Sequence, residues 1–134
     1  MGNSILIGYF SNASTNIFVG ECAGACSTNQ YFSMFIGHKA GACASGCLGH
    51  LFIGHSAGCS AYLGTYYSTA IGHLAGQDTG TQNVYIGYMS GMCTGSGFNN
   101  VYVGQCSGQC HQGSGNVLVG REIFTRGAVG GLIS

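Results

Sequence analysis

Eight cysteines stand in this chain of 134 residues. Most recur at fixed distances from a repeated glycine. The residues six places after Gly20, Gly37, Gly87 and Gly104 are Cys26, Cys43, Cys93 and Cys110, and Cys59 follows Gly54 by five. Cys22 and Cys106 each stand two places after their glycine. If each repeat is one coil of a stack, equivalent cysteines lie about 4.8 Å apart, inside the Cα separation that a disulfide accepts. Cys26 with Cys43 is then the first candidate intrachain disulfide, and Cys93 with Cys110 the second. Cys22 with Cys26, or Cys106 with Cys110, are alternatives that would link neighbouring subunits. The same columns are equally read as small apolar side chains in a tight corner. The spacing Cys-x-x-x-Cys is not the Cys-x-x-Cys knuckle of a zinc site.

A second column directly follows the glycine: Tyr9, Glu21, His38, His55, His73, Tyr88, Gln105 and Arg121. Stacked His38, His55 and His73 are weak candidates for a metal. A polar ladder on the solvent face is the commoner arrangement, and it would repel itself once protonated. Acid–base catalysis needs paired or positioned groups, and the three acids, Glu21, Asp78 and Glu122, are scattered. Cys110 and His111 are adjacent, which in a strand points their side chains apart. Thr65, Thr69, Thr79, Thr81 and Thr94 form no single column of the kind that ice binding uses. No catalytic residue, cofactor site or cofactor is therefore assigned, and the chain is not read as an enzyme.

What must position these columns is one phrase, clearest from Asn83 to Gly91: a small polar residue, three mostly apolar residues, Gly, two variable residues, Ala or Ser, and Gly. Its first glycine falls at Gly8, Gly20, Gly37, Gly54, Gly72, Gly87, Gly104 and Gly120. Periodicity that fills a chain predicts a solenoid. Glycine is abundant at 26 residues and proline absent, which suits many short strands joined by tight turns. The fold class expected is all-β, a parallel β-solenoid or β-roll of about eight turns of 15–18 residues. Residues 1–120 form the repeats, and 121–134 a partial cap or subunit-docking tail.

Side chains alternate across a strand. The columns one and three residues before the glycine, Val and Ile for the most part, are expected to fill the lumen. The column two before it, Leu6, Phe18, Phe35, Phe52, Ala70, Tyr85, Tyr102 and Leu118, is then expected to face outward as an apolar stripe. A sheet that is apolar on both faces must be covered on both. Leu6, Phe18, Phe35, Phe52, Tyr85, Tyr102 and Leu118 are accordingly the expected oligomer interface.

Only three basic and three acidic residues occur, and the net charge is zero with His neutral. So little charge resists association poorly and cannot neutralise a phosphate backbone. The expected partner is the chain itself, as a trimer, a head-to-tail filament, or both, without nucleic acid. No apolar run reaches the length of about 20 residues that a spanning helix needs, and no signal peptide is recognised at the start.

The strings Phe35-Ile36-Gly37-His38-Lys39-Ala40-Gly41 and Tyr85-Ile86-Gly87-Tyr88-Met89-Ser90-Gly91 resemble the Asn-x-x-Ile-Gly-x-x-Ala-Gly repeats of phage tail-fibre-like and large bacterial surface proteins. They are also similar to the head repeats of trimeric autotransporter adhesins. The resemblance covers Asn3 to Gly120 and implies a parallel β-roll, trimeric, with a structural or adhesive role. The expected function is a self-assembling fibre or filament subunit, outside the cell or on a virion surface. The alternative is an adhesive or receptor-binding fibre segment that contacts a host glycan or surface protein.

Overall fold

A computed structural model describes residues 5–6, 9–10, 14–27, 31–46, 48–60, 66–78 and 80–123. Among the described residues ten short strands carry the architecture: β1 (Ile5–Leu6), β2 (Tyr9–Phe10), β3 (Ser14–Thr15), β4 (Ile17–Val19), β5 (Met34–Ile36), β6 (Leu51–Ile53), β7 (Thr69–Ile71), β8 (Val84–Ile86), β9 (Val101–Val103) and β10 (Val117–Val119). From β4 to β10 they form seven parallel rungs in the order of the sequence. Each repeat position pairs with the same position of the next repeat: Phe18 with Phe35, Tyr85 with Tyr102, Val119 with Val103.

The β-solenoid expected from the repeats is present, with fewer coils than eight. The first phrase does not join the parallel stack. Its strand β1 pairs antiparallel with β4, Ile5 opposite Val19, and β2 and β3 form a separate antiparallel pair. At the other end, Gly108 N–H donates to Ile123 O and Glu122 N–H to Gln105 O, so the stacked backbone bonding runs through Ile123. Residues 124–134 of the expected tail lie outside the described residues.

Two features of the phrase explain the coil. The triplets are β-branched or aromatic and suit a pleated surface. The glycine after each has φ between 128° and 142° from Gly20 to Gly120. There the chain leaves the strand as tandem tight turns. Ala23 N–H donates to Gly20 O (3.3 Å) and Ala25 N–H to Cys22 O (3.2 Å). The third residues of these turns, Cys22 and Gly24, have φ of 58° and 63°, the sign that a type II turn requires. Adjacent turn segments also bond to each other, as in Gly24 N–H to Ala40 O and Gly41 N–H to Ala57 O, both 2.9 Å.

The faces are the reverse of the expectation. The column two before the glycine fills the lumen. Phe35, Phe52, Ala70, Tyr85, Tyr102 and Leu118 are fully buried, and the half-buried Phe18 packs against them. The side chain of Leu6 lies outside the described residues. Phe18, Phe35, Phe52, Tyr85, Tyr102 and Leu118 are therefore the core of one chain and not an interface between chains. The outward columns are the Val and Ile positions one and three before the glycine, of which Ile17, Ile86 and Val119 are exposed.

Room decides this. The rings lie on the glycine four places past the repeat glycine, so that a Cβ on Gly91 would stand 2.3 Å from Tyr85. They are also flanked by the small Ala40, Ala57, Ala75, Ser90 and Ser107, all buried. In register, Phe18 stacks on Phe35 at 4.9 Å and Phe35 on Phe52 at 5.1 Å. Such pairs add about 0.5–1.5 kcal/mol each beyond simple burial.

The same inward face carries a polar column at the start of each phrase: Asn16, Ser33, His50, Ser68, Asn83, Asn100 and Asn116. Six of the seven are buried, and Asn16 is half-buried. Burial of an unbonded polar group is costly, so each is bonded to its neighbours along the rod. Ser33 N–H donates to Asn16 Oδ1 (2.9 Å), His50 N–H to Ser33 Oγ (3.2 Å) and Ser68 N–H to His50 Nδ1 (3.1 Å). Asn83 N–H then donates to Ser68 Oγ (3.2 Å), Asn100 N–H to Asn83 Oδ1 (2.9 Å) and Asn116 N–H to Asn100 Oδ1 (3.0 Å). Asn83 and Asn100 turn their amide Nδ2 onto Gly97 O and Gly113 O, both at 2.8 Å. The column is an internal polar ladder that holds successive coils in register.

Candidate functional site

With the lumen filled by side chains, the surfaces left for function are the outer sheet face, the turn segments and the corners before each strand. The sheet face is built by β4–β10. Its two columns are apolar except for Thr69 and carry no charged residue. Because all seven strands pair in parallel and in register, like side chains stand over like along the whole face.

The column after the glycine is a stack of rings. His38 lies on His55 at 4.8 Å, His55 on His73 at 4.9 Å and His73 on Tyr88 at 5.3 Å. Neighbouring planes are within 21° of parallel, so the ring nitrogens point side by side and do not converge. Among the described residues no group of three or more His, Cys, Asp or Glu is arranged to hold a metal ion. Glu21, Asp78 and Glu122 stand in three different coils, and the one ion pair among the described residues is the exposed Arg121–Glu122 contact at 3.2 Å. Burial, and then the neighbouring Tyr85, push the Tyr102 phenol well above its ordinary range. It stays protonated at neutral pH and offers no base.

The candidate disulfide residues Cys26, Cys43, Cys93, Cys110, Cys22 and Cys106 are free thiols here, as is Cys59, while Cys47 lies outside the described residues. Cys26 and Cys43 belong to adjacent coils, and so do Cys93 and Cys110. Partial desolvation pushes the Cys93 thiol above its usual value, helped by the Cys110 thiol beside it and by the Asp78 carboxylate. Cys43 is raised in the same way, first by desolvation, then by Cys26 and Cys59. Cys22 and Cys106 sit at φ 58° and 54° at the same point of two coils far apart in the stack.

Asp78 occupies the turn column with φ 60° and is half-buried. Desolvation holds its carboxyl above the ordinary carboxylate range. The folded chain thus keeps this proton to a higher pH than the unfolded chain does. Stability therefore declines as pH rises from the unfolded to the folded pKa, and stays at the lower level above it. Asp78→Asn removes the ionisation and suits a left-handed residue better. The expected result is a slightly higher thermal midpoint at pH 7 and a weaker decline between acid and neutral pH. A thermal melt series that shows an unchanged slope would contradict this assignment.

Reading the phrase by columns missed one surface group. Tyr31, Phe32, Tyr66 and Tyr67, at the corners before β5 and β7, are 37, 67, 43 and 58% exposed. Tyr31, Leu48 and Tyr66 are joined by parallel bridges along this edge. Phe32 and Tyr67 hold φ of 55° and 52°, a conformation unusual for a bulky residue. The signal available in the sequence was the Tyr-Phe and Tyr-Tyr pairs at the same offset in two repeats. Comparison of the chain with protein-family models, curated proteins and solved structures finds no match.

Proposed function

We propose that the chain is a non-enzymatic, self-assembling structural subunit, a segment of a fibre or filament on a cell or virion surface. The observation that carries the reading is the outer sheet face: two in-register apolar columns along seven rungs with no charge among them. Charge depletion and apolar anchors distinguish the centre of a protein interface from ordinary surface. A face with one regular repeat is matched in period by a second copy of itself. At about 4.8 Å per rung and 3.3 Å per residue the strands cover only about 300 Å². A stable pair buries about 800 Å² per partner. Such a face favours trimers or longer arrays, in which each copy is held by more than one neighbour, over isolated dimers.

The test is negative-stain microscopy with sedimentation of the pure chain and of Ile86→Lys/Val103→Lys, which places charges on adjacent rungs of the face. The expected result is elongated assemblies for the natural chain and small species for the variant, with equal far-ultraviolet circular dichroism. Short uniform particles from the natural chain would overturn filament formation.

The second reading is an adhesive, discrete trimeric segment that contacts a host glycan or protein. The exposed corner aromatics favour it, because strained, exposed side chains are characteristic of binding sites and aromatics of contact surfaces. On this reading Phe32→Ala/Tyr67→Ala lowers binding to immobilised host-cell glycans and leaves the assembly state unchanged. A loss of assembly with no change in glycan binding would exclude it.

A further inference from the structure

The turn segments place thiols in pairs along the rod. Backbone bonding fixes the alignment. Cys26 N–H donates to the carbonyl of Ala42, the residue before Cys43, and Cys110 N–H to that of Met92, the residue before Cys93, both at 2.6 Å. Cys59 follows in the next coil, one residue out of the column and beside Cys43. Cys26, Cys43, Cys93 and Cys110 are all exposed to solvent.

The separation within each pair is set by the coil repeat. Ring centroids in other columns stand 4.8 Å apart at His38–His55, 4.9 Å at Phe18–Phe35 and 5.3 Å at Tyr85–Tyr102. In parallel, in-register coils equivalent side chains leave the backbone in the same direction, so Cβ atoms keep the separation of their Cα atoms. A disulfide requires Cβ atoms about 3.5–4.5 Å apart. The repeat is wider, and the polar ladder and the glycine contacts hold the coils at that distance. A soft metal ion bound in line between two thiolates requires a different distance. Zinc–thiolate bonds are about 2.3 Å; on that scale two sulfurs in line across one ion lie about 4.6 Å apart or somewhat less, near the coil repeat. Thiolate ligands select soft ions such as Cu(I) over hard ones.

We propose that the Cys93/Cys110 and Cys26/Cys43 pairs are two-coordinate binding sites for a soft monovalent cation of the Cu(I) class, each ion bridging the thiolates of adjacent coils. Binding forms two metal–sulfur bonds and releases two thiol protons per ion, so it weakens as pH falls. Each bound ion ties two coils together and stabilises the folded chain over the unfolded one. The assignment is independent of the assembly reading, because both thiols of each pair belong to one chain.

The experiment is an anaerobic titration of the intact chain with Cu(I) held by a chromophoric chelator. The natural chain is expected to withdraw two ions, Cys93→Ser/Cys110→Ser one, and a variant with all four cysteines replaced none. X-ray absorption should report two sulfur neighbours and no nitrogen or oxygen ligand. Protection of the same four thiols from maleimide by Cu(I), mapped by peptide mass, reads the sites without any substitution and so does not depend on a variant folding. Unchanged uptake by Cys93→Ser/Cys110→Ser would overturn the proposal. So would ready loss of two hydrogens from the Cys93/Cys110 pair with glutathione disulfide, since it would show a pair close enough to form the disulfide instead.

Discussion

Gly87→Ala is expected to lower stability by about 3 kcal/mol or more, with a corresponding fall in the urea midpoint. A left-handed or more extreme φ costs an L residue about 1–3 kcal/mol, and Gly87 has φ of 132°. Collision adds to this. The new Cβ would stand 2.5 Å from the carbonyl oxygen of Gly104 and 2.7 Å from its carbonyl carbon. These are backbone atoms of the next coil and cannot rotate away. Moving the coils apart would stretch Gly87 N–H to Ile71 O and Gly104 N–H to Ile86 O, both 2.8 Å. Gly95→Ala is the control. Its φ is 61° and its added Cβ would meet nothing within 4 Å, so only the conformational cost of about 1–2 kcal/mol applies. Equal losses in urea titrations of the two variants would show that close approach of the coils is not what demands glycine.

Asn100→Leu is expected to cost about 3–5 kcal/mol despite a similar volume. Asn100 Oδ1 accepts Asn116 N–H at 3.0 Å and Asn116 Nδ2–H at 3.1 Å, and its own Nδ2 donates to Gly113 O at 2.8 Å. Asn116 and Gly113 are buried, so leucine leaves two donors of Asn116 and the carbonyl of Gly113 without partners, at about 1–3 kcal/mol each. Asn100→Ser keeps an acceptor of the kind that the column already uses at Ser33 and Ser68. Ser68 Oγ also donates to Gly80 O, the counterpart of Gly113 O, so a loss of about 1–2 kcal/mol is expected there, for the one side-chain bond that a single hydroxyl does not replace. Chemical denaturation of both variants measures the difference. Equal destabilisation by Leu and Ser would mean that packing volume, and not the ladder, governs this position.

The two variants touch the two features that were hardest to read from the chain. Position Asn100 looks solvent-facing in a linear sequence, because a lone amide is rarely left inside a core. Tyr102, two residues on, shares its face by strand alternation. A polar Asn100 thus makes the Tyr102 face look like the outside, and the Val101 and Val103 face like the core. Burial of the amide becomes inexpensive only once Asn83 and Asn116 stand directly above and below it. That juxtaposition belongs to the stack and to no single repeat. The corner aromatics Phe32 and Tyr67 were legible as pairs at one offset, but their exposure was not, for a related reason. Their exposure depends on how each return segment closes, and those segments differ in length from coil to coil.

The repeat by itself determined that this chain is an all-β parallel solenoid. It also determined which residues stack on which, because a glycine that no other residue can replace marks the same point of every coil. The cysteine pairs Cys26/Cys43 and Cys93/Cys110 and the run His38, His55, His73 were legible for that reason. Only the tertiary structure decided which face turns inward. The small residues and glycines of the turn segments leave room for Phe35 or Tyr85 on one side only, and the polar ladder satisfies that side's amides. The Val and Ile columns are thereby left on the surface, where a partner would meet them.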